Sequence, residues 1–275
     1  MLAVLLGAAL HAAWNVIVKS SSDRTSEIAL VTASAAVLAG LTLPFLPLPA
    51  AASWLYLAGS VAIHVVYFSL VALAYRHGDL SYAYPLMRGS APLFTALVAW
   101  LIVGEHLALG GWLGIALLST GVLTLGTDSW RSGRFRWSAT LFGLANAAVI
   151  VAYTLVDGLG VRASGNALSY VQWMFFLNGF PLLTYTLIAR RQAFMTVART
   201  RWKNASVGGL CAIGSYGVAL WAMAHTPIAL VAALRETSVL FGTVFAALWL
   251  KERFGPARYV AALLVTLGAV AMKVL

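Results

Sequence analysis

The sequence predicts an all-α integral membrane protein with ten transmembrane helices, arranged as two inverted five-helix repeats around a central cavity. The first observation is composition: 61% of the 275 residues are hydrophobic and 9% are charged. A soluble domain is about half apolar and about a quarter charged, so a soluble fold is excluded. The second observation is a series of ten apolar runs, and the third is an internal repeat.

The ten predicted spans are runs of about 18–23 apolar residues, long enough for a helix to cross about 30 Å of hydrocarbon. A basic segment does not precede the first span and Lys19 follows it, so we expect no cleaved signal peptide there. The single cysteine, Cys211, excludes an internal disulfide framework. The spans cover residues 2–18, 28–45, 54–75, 81–103, 109–126, 138–156, 168–189, 205–224, 228–250 and 256–274.

The repeat relates the fourth and fifth spans to the ninth and tenth at a constant offset of 147 residues. The matched pairs are Arg88 with Arg235, Phe94 with Phe241, Glu105 with Glu252, and Gly121 with Gly268. We therefore divide the chain into a first repeat at residues 1–130 and a second at residues 131–275. Each half holds five spans, an odd number, so the second half crosses the bilayer upside down, as in many secondary transporters.

Three sequence motifs identify a family. The first helix contains HAAWNVIVK at residues 11–19, the fourth ends in AWLIVGEHL at 99–107, and the ninth ends in AALWLKERF at 246–254. Together with the duplicated five-helix unit, these motifs resemble the drug/metabolite transporter superfamily, and its ten-helix EamA-type branch in particular. The resemblance implies a transporter, because members export amino acids and other metabolites, and relatives exchange sugar phosphates or nucleotide sugars.

The 18 Lys and Arg residues divide unequally between the two sides of the membrane. Fourteen lie on the side of the loops after odd-numbered spans, counting Arg258 at the start of the tenth span, the other side holds Arg162 and Lys273, and Arg88 and Arg235 lie deep within spans. The positive-inside rule then predicts cytoplasmic odd-numbered loops and external termini in a multi-pass protein of the inner (plasma) membrane. Well-known members of the family resemble one another in having cytoplasmic termini, whereas the charges here favour the opposite. This distribution explains the net charge of +10 without a nucleic-acid partner.

Arg88 and Arg235 are the main candidate substrate-binding residues. Each is the eighth residue of its predicted span, about 10 Å below the membrane surface. A charge at such a depth costs at least about 2.5–3.5 kcal/mol, so we expect both to face an aqueous cavity and bind an anionic group. The alternative is that each snorkels or neutralises a buried acid.

Pro85 and Pro92 remove backbone donors around Arg88, which predicts a gating hinge.

Glu236 is interpreted as the only carboxylate deep in any span. It could pair with Arg235, bind a substrate amine or carry a proton. Further candidates for the cavity lining are His11, Trp14, Asn15, Tyr82, Tyr84, Tyr153 and Tyr216. Packing, or hydrogen bonds between helices, is the alternative for these side chains. Proton coupling through His11 is a further option.

Two more groups of residues fit structural roles. Glu105 and Glu252 lie at span ends, which favours helix capping or loop ion pairs over substrate contact. Gly110, Gly111, Gly114, Gly121, Gly126 and Gly268 predict close packing of the fifth and tenth spans, as scaffold or as a dimer surface.

The predicted function is secondary transport, as exporter or exchanger, of a small anionic or zwitterionic metabolite such as an amino acid, by alternating access. The alternatives are a flippase of an anionic lipid-linked substrate and a multidrug exporter. A membrane enzyme is disfavoured because the eight acidic residues are scattered, so no residue is assigned a catalytic role. We expect no cofactor and no metal site, since no histidine pair has ligand spacing. The expected partners are the substrate and the lipid bilayer, with the protein a monomer or homodimer.

Overall fold

The computed structural model describes residues 1–77, 80–127, 137–250 and 256–274, and regular structure in these ranges is helical throughout. A helix satisfies its backbone groups internally, which hydrocarbon requires because it offers no water. The α-helices are α1 (Leu2–Lys19), α2 (Arg24–Thr42), α3 (Trp54–His77), α4 (Leu80–Val98), α5 (Leu109–Thr124), α6 (Trp137–Ala163), α7 (Ala167–Ala189), α8 (Arg191–Met223), α9 (Ile228–Arg235), α10 (Ser238–Leu250) and α11 (Pro256–Val274).

The helices confirm the predicted all-α class and its ten crossings. Within the described ranges, six segments are long and apolar enough to span a membrane, and three further apolar helices are shorter. The remaining crossing is made by α9 and α10 together, which are separated by Glu236 and Thr237. The central cavity of the predicted fold stays a prediction.

Helix α8 corrects one predicted boundary. The predicted spans at 168–189 and 205–224 left residues 190–204 as a polar connection, but α8 begins at Arg191 and runs for 33 residues, about 50 Å. Hydropathy marks only the part of a helix that lies in hydrocarbon. Arg and Lys are good helix formers, so the helix continues beyond the apolar run.

The chain divides into two compact units. The first unit contains Val66–Val156 and His225–Leu275 together with Met1, and the second contains Leu2–Val65 and Asp157–Ala224. Helices α4, α5 and α9 to α11 therefore belong to the first unit, and α1, α2, α7 and α8 belong to the second. Helices α3 and α6 each contribute one part to each unit.

Small residues bring the helices of the second unit close together. Helix α2 packs against both α7 and α8. A Cβ atom at Gly179 would overlap the methyl group of Ala36, and one at Gly209 would lie 2.8 Å from the backbone nitrogen of Ala35. Glycine therefore lets the backbones approach to a distance that van der Waals packing in a membrane favours.

Two ion pairs in the second unit join the N-terminal end of α2 to α8 and to Arg190, the residue before α8. Arg201 Nε lies 2.6 Å from Oε2 of the fully buried Glu27, and Arg190 Nη2 lies 3.3 Å from Asp23 Oδ2. Asp23 also caps α2 by accepting from the amide of Ser26. Burial alone raises the pKa of Asp23, but the hydrogen bonds from Ser26 and the Arg190 charge bring it below its ordinary value of 3.8.

Glycines also join α5 to α11 in the first unit. A Cβ atom at Gly268 would lie 2.7 Å from the carbonyl oxygen of Gly114, and one at Gly114 would lie equally close to the carbonyl oxygen of Gly268. A Cβ atom at Gly121 would come within 2.9 Å of Val265. The close packing predicted for these two helices is confirmed, whereas the dimer surface stays a prediction.

Glu105 caps the N-terminus of α9 within the first unit. Its Oε1 accepts from the amide of Ile228 at 2.9 Å, and its Oε2 lies 3.3 Å from the amide of Ala229. The capping role predicted for Glu105 is confirmed. Glu252, its partner in the repeat, lies outside the described residues.

Helix α4 continues through both prolines of the predicted hinge. The chain then forms a π-helical turn at Ala99–Val103, which ends at Gly104 with a positive φ of 74°. The hinge role of Pro85 and Pro92 stays a prediction. The ninth span contains a break between Arg235 and Ser238 that the hydropathy pattern did not predict.

Candidate functional site

Arg88 and Glu236 form a buried ion pair in the first unit. Arg88 lies in α4 and Glu236 follows the last residue of α9, and their Nη2 and Oε1 atoms are 3.0 Å apart. The two residues are 6% and 4% exposed. Removing one partner of such a pair leaves an uncompensated buried charge, which costs about 3–5 kcal/mol.

Arg235 adds a second guanidinium to this pair. It is the last residue of α9, is 8% exposed, and lines the same cavity as Arg88 and Glu236. Electrostatic attraction from both arginines acts on the Glu236 carboxylate. With all three side chains ionised, the cluster carries a net charge of +1 and attracts an anion.

The pairing answers one question that the sequence left open. We considered Arg235, its neighbour in the chain, as the partner of Glu236; the ion pair that the structure describes is with Arg88, and Arg235 also attracts Glu236 electrostatically. Adjacent residues of a helical segment point in directions about 100° apart, so they rarely meet side by side. The alternative in which Arg88 neutralises a buried acid is therefore part of the observed geometry.

The cavity at this cluster has a volume of about 10 Å³, enough for roughly one water molecule. Pockets that hold small molecules are usually about 300–1,000 Å³, so the described conformation has no room here for a metabolite. Two buried hydroxyl groups, those of Thr95 and Thr154, lie on its wall. The lining residues are Arg88, Ala91, Pro92, Thr95, Ile150, Tyr153, Thr154, Ala232, Arg235 and Glu236.

One oxygen of Glu236 is not satisfied by the described groups. Oε2 is buried and has no hydrogen-bond donor among the backbone groups and side chains that the structure describes. An unsatisfied buried acceptor costs about 1–3 kcal/mol, and more when it is charged. A donor supplied by a ligand would remove this cost.

The backbone is irregular at the cluster. The amides of Glu236 and Thr237 bond to carbonyls three residues back, at 2.9 and 3.1 Å, and α10 begins only at Ser238. Broken helices of this kind place a half-helix N-terminus, with its partial positive charge, inside the membrane. The sequence did carry a signal for the break, because residues 235–238 are four consecutive polar residues in an apolar span.

The three α1 candidates form a separate local group in the second unit. Trp14 Nε1 donates to Nδ1 of His11 at 3.3 Å, and Asn15 Nδ2 donates to the His11 carbonyl at 2.7 Å. Because Nδ1 accepts a hydrogen bond, it carries no proton, and the His11 ring is neutral in this arrangement. Their predicted contact with substrate is untested.

The four tyrosine candidates have different outcomes. Tyr153 lines the cavity beside the arginines. Tyr216 donates at 2.8 Å to Asp157 Oδ2 in the second unit. The side chains of Tyr82 and Tyr84 lie outside the part of the chain that the structure describes.

Sequence reasoning missed two buried acids. Glu236 is not the only carboxylate inside a span, because Asp157 and Glu27 lie in α6 and α2 and are both fully buried. The predicted sixth span stopped at Val156, one residue before Asp157. The sequence did contain a signal for the true end of this helix, because glycine is common just after helix ends. Gly165 follows the end of α6 and has a positive φ of 70°, so it marks the helix end better than Asp157 does. In the described ranges, no three His, Cys, Asp or Glu residues are placed to hold a metal ion.

Comparisons with known proteins agree with the fold. The model of the EamA-like transporter family matches the chain twice, at residues 1–127 and 137–273. A solved structure titled "Crystal structure of protein" is 18% identical, with a TM-score of 0.71, and the match covers 98% of this chain and 93% of that one. No curated protein matches significantly. Since the family model covers nearly the entire sequence in two consecutive copies, the chain belongs to the EamA-like transporter family and is a multi-pass membrane transporter.

Proposed function

We propose that the protein is a secondary transporter of the inner (plasma) membrane that exports or exchanges a small anionic or zwitterionic metabolite, an amino acid above all. The observation that carries the proposal is the buried Arg88–Glu236–Arg235 cluster at the break between α9 and α10. A guanidinium group binds a carboxylate or phosphate through two parallel hydrogen bonds. The guanidinium groups of Arg88 and Arg235 are already buried away from water.

Glu236 supports a zwitterionic substrate over a simple anion. Its Oε2 lacks a donor among the described residues, and a substrate ammonium group supplies three. In this scheme the acid group of the substrate binds Arg88 and Arg235, and the amine binds Glu236. The net charge of +1 disfavours an organic cation, so a multidrug exporter is the weaker alternative.

The small size of the cavity fits alternating access. A site that has room for about one water in the described conformation must open before a metabolite binds. Opening toward one side at a time prevents a leak, and the inverted five-span repeats provide two related conformations for it. Tyr153 and the two threonines beside the cluster would then contact the rest of the substrate.

A proteoliposome uptake screen tests the proposal. Purified protein is reconstituted and offered labelled amino acids, phosphonates and sugar phosphates, with the same compound inside to allow exchange. We expect selective uptake of an amino acid, reduced about ten- to a hundredfold by Arg88→Gln or Arg235→Gln, because each loses charge-assisted hydrogen bonds of about 1.5–3 kcal/mol.

Arg199→Gln is the matched control, because Arg199 is exposed on α8 in the other unit. It is expected to transport like the wild type. Folded yield by size-exclusion chromatography separates loss of transport from loss of protein. Uptake of bulky organic cations alone, or full activity of both inner arginine variants, would refute the assignment of this site.

A further inference from the structure

Asp157 is a fully buried acid that the proposed substrate site does not use. It lies in α6 within the second unit, 0% exposed. Its side chain meets groups from three other helices, Ser60 and His64 of α3, Tyr170 of α7 and Tyr216 of α8. A carboxylate within the membrane raises the free energy of the folded protein unless it is paired, and such residues usually have a function. We therefore looked for a function of Asp157 in the groups around it.

The hydroxyl groups around Asp157 satisfy both of its oxygens. Tyr170 donates to Oδ1 at 3.2 Å, Tyr216 donates to Oδ2 at 2.8 Å, and the Ser60 hydroxyl bonds to the same carboxyl group. Gly160 makes this possible, because a Cβ atom there would overlap the Tyr170 ring. Glycine at position 160, about one helical turn after Asp157, therefore leaves the space that the Tyr170 hydroxyl group occupies.

His64 is a titratable group that acts electrostatically on Asp157. Its Nδ1 lies 2.8 Å from the carbonyl oxygen of Ser60. A carbonyl only accepts hydrogen bonds, so Nδ1 carries a hydrogen and donates it to Ser60. Ser60 thus contacts His64 through its carbonyl and Asp157 through its hydroxyl.

The partners of Asp157 tolerate both of its protonation states. Tyrosine and serine hydroxyls donate to a carboxylate, and each can rotate to accept from a protonated acid. Tyr56, which acts electrostatically on Tyr170, is likewise a hydroxyl group. The two further acids that are buried in the described part of the chain face arginines, Glu236 facing Arg88 and Glu27 facing Arg201. An arginine only donates and keeps its charge, so those sites favour one protonation state.

We propose that Asp157, surrounded by the Ser60, Tyr170 and Tyr216 hydroxyls, is a proton-binding site that couples transport to the proton gradient. Asp157 takes up a proton when the site is open to the acidic side and releases it on the other side, and the Tyr170, Tyr216 and Ser60 hydroxyls reorient with each step. No bond other than O–H or N–H forms or breaks. The coupling role rests on the proposed transport function, whereas proton binding by Asp157 does not.

Infrared difference spectroscopy tests proton binding without a substrate. Protein in lipid vesicles is moved between alkaline and acidic buffer while the carbonyl band of protonated carboxyl groups is recorded. We expect a band that is present in the wild type and in Glu236→Gln and is lost in Asp157→Asn. Asn has nearly the same shape as Asp, its carbonyl oxygen accepts from one tyrosine and its amide nitrogen donates to the hydroxyl oxygen of the other, so the fold should persist. A spectrum of Asp157→Asn identical to that of the wild type overturns the proposal.

Transport assays then test coupling and separate it from substrate binding. With an amino acid that the wild type exchanges, a pH gradient should increase net uptake at least about fivefold, the lower end of typical coupling factors. Asp157→Asn is expected to keep exchange and lose this increase, whereas Glu236→Gln loses exchange itself. Wild-type exchange that ignores the gradient overturns the coupling and leaves the proposed function intact. No exchange of any compound in the screen overturns the proposed function, and the infrared result still decides proton binding.

Discussion

Glu105 is a single side chain that holds the first turn of α9 through two backbone amides. We expect Glu105→Ala to destabilise the protein by about 1–2 kcal/mol, since the amides lose their acceptor and the helix dipole loses a favourable charge. The thermal midpoint in detergent should fall by about 2–8 °C for a chain of roughly this size.

Two variants make this measurement specific. Glu105→Gln keeps one acceptor oxygen but no charge, so it should lie between Glu105→Ala and the wild type. His106→Ala changes the exposed neighbouring residue and should have no effect. A Glu105→Ala protein as stable as His106→Ala would mean that the cap contributes nothing.

The distance of a charged residue from the end of a span decided whether sequence reasoning found it. Arg88, Arg235 and Glu236 are far from any span end, so their cost in the membrane marked them as candidates, and the structure brings them to one cavity. Asp157 and Glu27 lie near the ends of apolar runs, where a carboxylate is expected to face water. Nothing in local composition shows that tyrosines or an arginine from distant helices cover them.

The α5–α11 contact depends on the absence of side chains at Gly114 and Gly268. Gly268→Ala places a methyl group 2.7 Å from the Gly114 carbonyl oxygen, so the two helices must separate. We expect a loss of about 1–3 kcal/mol, typical of overpacking, measured as a lower thermal midpoint of the purified protein. Val270→Leu adds bulk to the exposed face of α11 and should be neutral. Equal stability of the two variants would argue against close packing as the source of stability.

Helix positions followed from hydropathy, but helix ends and interruptions did not. Each predicted span has a helix, because a membrane crossing of this type requires about 20 apolar residues. Hydropathy did not predict the start of α8 at Arg191, because a polar stretch of chain can also be helical. It did not predict the break after Arg235 either, because the mean hydropathy of a window as long as a span stays high when four of its residues are polar.

The family match and the contact units describe two different divisions of the chain. The EamA-like model matches two consecutive stretches, whereas each contact unit draws on both. Spans four, five, nine and ten fall in the first unit, and spans two and seven fall in the second. Spans four and nine, five and ten, and two and seven therefore share a unit with their counterparts, whereas the first span lies in the second unit and the sixth, at residues 138–156, lies in the first. The division at residues 1–130 and 131–275 stays a prediction about the repeat, and periodicity in the sequence could not predict which spans pack together.

Orientation in the membrane follows from the charges of the entire chain. Fourteen Lys and Arg residues lie on one predicted side and two on the other, and basic loops are retained in the cytoplasm. We therefore expect a green fluorescent protein fused after Leu275 to stay dark in a bacterial host, because it does not fold when exported, and alkaline phosphatase at the same position to be active. A fusion after Arg190, between α7 and α8, should give the opposite pair of signals. Fluorescence of the Leu275 fusion would invert the orientation and show that a determinant other than loop charge sets it.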